Sequence, residues 1–163
     1  MKRLFFLIIL VFLTTNIANT LTYNSDPKIF ISELVEDALK TLGDKNLAQE
    51  EKDKIIKEIT KNNVDITALG LYTLGEKRKT LDSNTLEKYQ NLFEKYLLKS
   101  LTSRLSDYSS QKFEIVGADK KNAKYTIVHS KISDGSSQPE IKVDWRVYTK
   151  DPLKPLIRDL IVE

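Results

Sequence analysis

The apolar residues of this chain change period once, near Ser109, and that change limits what the chain can fold into. Before it, apolar side chains recur at the spacing of a buried helix face. After it they alternate, as in strands with one covered and one wet side. Helices first and strands afterwards make an α+β domain, with N-terminal helices packed on one face of a four-stranded antiparallel sheet.

The helical part divides into four segments. "SDPKIFISELVEDALKTLG" predicts a helix with Asp26 as N-cap, Pro27 at the first helical position and Gly43 just past the last turn. Phe30, Leu34, Ala38 and Leu42 recur along it, with Val35 and Leu39 beside them, and form one buried stripe. "AQEEKDKIIKEITKNN" is a mostly polar helix anchored by Ile55, Ile56 and Ile59. "VDITALGLYTLG" is a short apolar helix opened by Asp65 and closed near Gly75. After the polar joint "EKRKTLDSN", Asp82 or Ser83 caps a long helix running from about Thr85 to Tyr108.

The long helix is apolar over more than one stripe. On a helical wheel Leu86, Phe93, Leu97 and Tyr108 lie near the centre of one side. Leu98, Leu101 and Leu105 extend it one way, and Tyr89, Leu92 and Tyr96 the other. The arc covers about two thirds of the circumference, where a surface helix needs a little over about 100°. Such a helix has to be covered from more than one direction.

Beyond Ser109, "KFEIVGA", "AKYTIVHSKI", "EIKVDWRVY" and "LIRDLIVE" are strand candidates, joined by "DKKN", "SDGSSQ" and "TKDPLKP". The third alternates most cleanly. Ile141, Val143, Trp145 and Val147 point one way; Glu140, Lys142, Asp144 and Arg146 point the other.

The first twenty residues stand apart. "MKRLFFLIILVFLTTNIANT" has a basic start, an apolar run from Leu4 to Leu13 and a small polar tail. The run is too short for a membrane-spanning helix, which needs about twenty apolar residues, and fits a secretory signal peptide. Cleavage after Ala18 or after Thr20 fits equally, and an uncleaved anchor is the alternative. With no Cys after the run, a lipid-modified N-terminus is excluded. Residues 1–20 are thus read as a signal peptide and 21–163 as a single domain.

Composition then excludes several functions. The chain has 26 basic and 23 acidic residues, and Lys2 and Arg3 belong to the leader, so the remainder is close to neutral. Its charges are interspersed, without the basic cluster that nucleic acid requires. The lack of Cys removes disulfides, thiol chemistry and Cys-ligated zinc. No carboxylate spacing resembles a metal site, and there is no phosphate loop or nucleophile elbow. His129 is the only imidazole, on a strand face with Tyr125, Ile127 and Lys131; a partnership with Asp144 or Glu140 is the one route to a general base. The expectation is that the protein is not an enzyme and uses no metal or cofactor. "EKRK", Glu76 to Lys79, suits either a solvated loop or an acidic membrane surface.

The order of these features resembles the MlaC, or toluene-tolerance, family of periplasmic phospholipid-binding proteins. The resemblance is carried by "LG" at Leu74 and Gly75, then Tyr89, Phe93, Leu97, Leu101, Leu105 and Tyr108 on the long helix. "VDWRVY" follows, with a closing "RDLIVE" in which Asp159, Val162 and Glu163 match the family pattern. It extends over roughly residues 26 to 163. Where the family has an aromatic and basic pair after the Leu-Gly, this chain reads "EKR". Family members continue past the last strand with a Gly-x-Ser turn and further helices, so these are expected to be missing from a sequence that stops at Glu163.

The resemblance implies a cystatin-like or NTF2-like shape with an apolar cavity between helices and sheet. It implies a periplasmic carrier, expected to be monomeric, that shuttles phospholipid between an outer-membrane lipoprotein complex and an inner-membrane ABC transporter bearing a substrate-binding hexamer. Bound phospholipid would be cargo. Periodicity assigns the cavity wall to Leu69, Leu74, Phe93, Tyr96, Leu97 and Leu101 on the helices and to Ile127, Val143, Trp145 and Val147 on the sheet. Two other readings stay open: an exported cystatin-like module that binds protein without lipid, and a hydrolase or isomerase using His129 or an acidic residue.

Overall fold

The computed structural model describes residues 22–104, 111–133 and 139–163. The leader, Leu105, Tyr108 and most of the "SDGSSQ" turn lie outside the described residues. Helix α1 spans Pro27–Gly43, α2 Gln49–Asn63, α3 Ile66–Leu74 and α4 Ser83–Arg104, with a 3-10 turn at Gly75–Lys79. Strands β1 (Lys112–Lys120), β2 (Tyr125–Ser133), β3 (Ile141–Tyr148) and β4 (Leu156–Val162) follow. They form one antiparallel sheet in the order β1-β2-β3-β4. The class is the expected α+β.

Local chemistry sets the helix starts. Asp26 Oδ1 accepts from the backbone N–H of Lys28 at 2.9 Å and of Ile29 at 3.2 Å, with Pro27 beginning the helix. Asp65 Oδ1 accepts from Ala68 N at 3.0 Å and caps α3. Asp82 Oδ1 accepts from Thr85 N at 2.9 Å, which makes Asp82 the cap of α4. Gly43 is the last helical residue of α1 and lacks the left-handed backbone expected of a C-terminal cap. Gly75, at φ 53° and ψ −132°, ends α3 in a positive-φ backbone that side chains other than glycine's rarely adopt.

Strand register sorts the sheet residues by face. Val143 pairs with Ser130, Trp145 with Val128 and Val147 with Thr126. On the other side of β3, Val143 pairs with Val162, Trp145 with Leu160 and Val147 with Ile157. These residues face the helices, together with Phe113 and Ile115 of β1. The core gathers on this side: Phe30, Ile31 and Leu34 of α1, Ile56 and Ile59 of α2, and Val128, Val147 and Ile157 of the sheet. Val64, just beyond α2, bridges Ile157, and Asp65 N donates to Ile157 O at 2.9 Å, so the end of α2 is pinned to β4.

The sheet is covered chiefly by α1, which packs on β1 and β2. The long helix α4 packs on α2 and α3, one layer further out than α1. Gly70 makes the α3–α4 contact close. A Cβ there would stand 2.7 Å from Gln90 Oε1 and 3.0 Å from Phe93 Cδ1. The wide apolar arc of α4 is partly used on these two helices and partly left in solvent, with Leu92 and Tyr96 both exposed.

Candidate functional site

Between α1, α2, the end of α4 and the helix-facing side of the sheet lies a cavity of about 310 Å³. It falls at the small end of ligand pockets, which run from about 300 to 1,000 Å³. Val35, Ala38 and Leu39 of α1 line one side, and Ile56 and Ile59 of α2 another. Val143 and Trp145 of β3, with Phe113 of β1, supply the sheet wall, and Leu160 and Val162 of β4 reach toward solvent. Among the described residues no charged side chain lines it.

Three polar side chains are part of the wall. Thr60 Oγ1 donates to Ile56 O at 2.8 Å, within its own helix. Trp145 Nε1 donates to Ser130 Oγ at 2.8 Å, while Ser130 Oγ donates to Val143 O at 2.9 Å. The indole also meets the Phe113 ring edge-on, with centroids 6.2 Å apart and planes at 84°. Trp145 is thus held with its ring against the cavity and its N–H satisfied behind it. The third, Gln111, has a buried side-chain oxygen with no hydrogen-bond partner among the described residues. Such a surface suits a guest without hydrogen-bonding demands along most of its length.

The ten residues assigned from periodicity divide into four groups. Leu101, Val143 and Trp145 line the cavity. Val147 points the same way but is fully buried beside Val128 in the solid core. Ile127 is buried on the opposite face, where it pairs with Arg146 and Asp119, because β2 turns its odd-numbered residues away from the helices. Leu69, Leu74, Phe93, Tyr96 and Leu97 do not line the cavity; they belong to the α3–α4 layer. Phe93 lies against Gly70 and stacks on Tyr89, and Tyr96 is 71% exposed. The wall residues that periodicity does not assign come from the sheet, Phe113, Ile141 and Leu160 among them, and from the helices, including the Leu34, Ala38 and Leu42 stripe of α1 that is expected only as core.

The opposite face of the sheet is polar. His129 Nδ1 lies 2.7 Å from Asp144 Oδ1 on β3, and its Nε2 lies 3.5 Å from Asp119 Oδ2 on β1. The hydrogen bond to Asp144 raises the histidine above its ordinary pKa, with Asp119 adding to the effect. Asp119 is held below the usual carboxylate range by Lys121 first and His129 second. This pair, the partnership considered for catalysis, stands away from the apolar cavity. At the β4 side, Arg158 lies 3.5 Å over the Tyr148 ring and bonds Asp65 through Nε at 2.7 Å, while Arg146 reaches the Tyr72 hydroxyl at 2.7 Å. These contacts fasten α3 to the sheet. Glu76 to Lys79 sit at the α3–α4 joint, and none of them lines the cavity.

Among the described residues no group of three or more metal-ligating side chains is close enough to hold an ion, and no helix is long and apolar enough to cross a membrane. Residues 32–163 match the family model described as MlaC protein. No curated protein matches the chain in sequence. Among solved structures, the fold is similar to that of a phospholipid-binding protein from Ralstonia solanacearum, described in complex with a phospholipid. The TM-score is 0.63 at 16% sequence identity, covering 82% of this chain and 75% of that one.

Proposed function

The chain belongs to the MlaC family, and on that premise we propose that it is a phospholipid carrier which encloses acyl chain in the cavity between α1, α2 and the sheet. The observation that carries this reading is an almost wholly apolar cavity, uncharged and left unfilled among the described residues.

The energetics explain why a carrier is needed. Each methylene taken out of water contributes about 0.8 kcal/mol, so a sixteen-carbon tail costs about 12 kcal/mol to expose. Free passage through an aqueous compartment is then negligible. A cavity lined by Val, Leu, Ile and Phe side chains offers the tail nearly what a bilayer offers. Transfer in either direction is therefore close to balanced, and the same site can both load and release.

The finer role follows from the leader and the family. The protein would be exported to the periplasm by a cleavable signal peptide. There it would move phospholipid between an outer-membrane lipoprotein complex and an inner-membrane ABC transporter with its substrate-binding hexamer, supporting outer-membrane lipid asymmetry. No catalysis enters this reading, since the His129–Asp144 pair faces away from the cargo. Solvent extraction of the purified protein followed by mass spectrometry tests the proposal. Diacyl phospholipid is the expected product. Repeated extraction of none, together with no uptake from vesicles, would favour the protein-binding module instead.

A further inference from the structure

The solvent side of α4 carries a pattern of its own. Lys88, Leu92, Lys95, Tyr96 and Lys99 fall at successive turns along one face, over about 16 Å of helix. All five are exposed, Leu92 by 57% and Tyr96 by 71%. Among the described residues none of the three lysines pairs with a carboxylate. The acidic residues of the helix, Glu87 and Glu94, lie away from this face, and Glu94 is paired with Lys61 of α2 at 2.7 Å.

The opposite side of α4 packs on α2 and α3, whereas this side meets solvent. The basic turn before α4 contributes less, because Arg78 donates to Leu71 O at 3.3 Å and Lys79 is paired with Glu76 at 2.7 Å. We propose that the Lys88–Lys99 face of α4 docks the protein on an anionic lipid bilayer. Three unpaired lysines match a negative headgroup layer, and the apolar pair between them enters its boundary with the acyl chains. The docking face goes beyond the carrier reading and stands whether or not the cavity holds lipid.

Residue type favours a bilayer over a protein partner. Lysine is depleted in the core of protein interfaces, where arginine is the enriched cation, and every cation on this face is lysine. A lysine stem lies along apolar ground while its ammonium stays among the headgroups, and a tyrosine ring settles at the same depth. Outside the leader the chain is close to neutral, so the attraction is local to α4 and fades within about 8–10 Å at physiological ionic strength. None of the five residues lines the cavity. Docking therefore sets how fast cargo exchanges with a membrane and leaves occupancy at equilibrium unchanged.

Co-sedimentation with vesicles tests this, comparing phosphatidylethanolamine containing about a quarter phosphatidylglycerol with pure phosphatidylcholine. Wild-type protein is expected to bind the anionic vesicles about ten-fold or more tighter than the neutral ones. Each lysine near such a surface is worth about five-fold, so the triple variant Lys88→Gln, Lys95→Gln, Lys99→Gln should bind about thirty-fold or more weakly. Leu92→Ser with Tyr96→Ser should cost about five-fold or more. All five positions are exposed, and circular dichroism checks the fold. The control triple Lys45→Gln, Lys54→Gln, Lys57→Gln removes the same charge from exposed positions before and on α2, and should change binding by less than about three-fold. Equal losses in the two triple variants, or undiminished binding by either α4 variant, would overturn the proposal. Wild-type protein that leaves anionic vesicles unbound would also overturn it, and would leave the face to an acidic protein partner.

Discussion

Trp145 Nε1 donates to Ser130 Oγ at 2.8 Å across the β2–β3 pair, and this bond presents the indole ring to the cavity. Ser130 is 2% exposed and also donates to Val143 O, so Ser130→Ala removes two hydrogen bonds and leaves the indole N–H unsatisfied. Such a loss costs about 1–3 kcal/mol. Urea unfolding should show a destabilisation in that range. An unchanged midpoint would mean the indole is held by packing alone.

Ala38 lines the cavity from α1 and is the smallest side chain of its wall. Ala38→Phe should fill space that the cargo needs, lowering phospholipid loading by about ten-fold or more. Overpacking a filled core usually costs about 1–3 kcal/mol, and an open cavity should reduce that cost. Tyr96→Ala, at an exposed position on α4, should leave loading unchanged. Lipid counts from native mass spectrometry on the two variants check both statements; equal loss in both would place the cargo elsewhere.

Gly70 has no room for a side chain. Its added Cβ would press on Gln90 Oε1 at 2.7 Å and on the Phe93 ring at 3.0 Å. Gly70→Ala should therefore destabilise the α3–α4 pair by about 1–3 kcal/mol despite alanine's better helix propensity. Adding Phe93→Leu should recover part of the loss, because the two positions are in contact and couple. Thermal unfolding of the single and double variants measures this coupling, and strict additivity would contradict it.

His129 makes stability depend on pH. Its pKa is raised above the ordinary value by the hydrogen bond to Asp144, so the imidazolium contributes stability below the unfolded value of about 6.5. That contribution is lost as pH rises through the raised folded value. The groups around it are Asp144 on β3, Asp119 on β1 with its partner Lys121, and Lys131 on β2, which bonds Glu114 and Glu140. The gap in melting temperature between wild type and His129→Gln should be wider near about pH 5.5 than near about pH 8.5. An equal gap at both values would show that the imidazole acts only as a neutral hydrogen-bonding group.

Much of this arrangement is legible in the sequence, because period and capping are local signals. Asp26, Asp65 and Asp82 mark helix starts, and the alternation through Val143, Trp145 and Val147 names the covered face of β3. Layer order is not local. An apolar arc on α4 looks the same whether it meets a sheet, two helices or a ligand. The choice between them depends on Gly70, which lets α3 approach closely enough to occupy that surface. For the same reason a stripe such as Leu34, Ala38 and Leu42 reads as core, although the space beside it is open. Gln111 carries no sequence signal, since its orphaned oxygen exists only once β1 and α1 are in place.

The most direct test uses Trp145, the only tryptophan in the chain and part of the cavity wall. Loading phospholipid brominated along an acyl chain should quench its fluorescence strongly, whereas the same lipid brominated at the headgroup should quench it weakly. Bound brominated chains that leave Trp145 emission unchanged would show that the hydrocarbon lies outside the cavity between α1, α2 and the sheet.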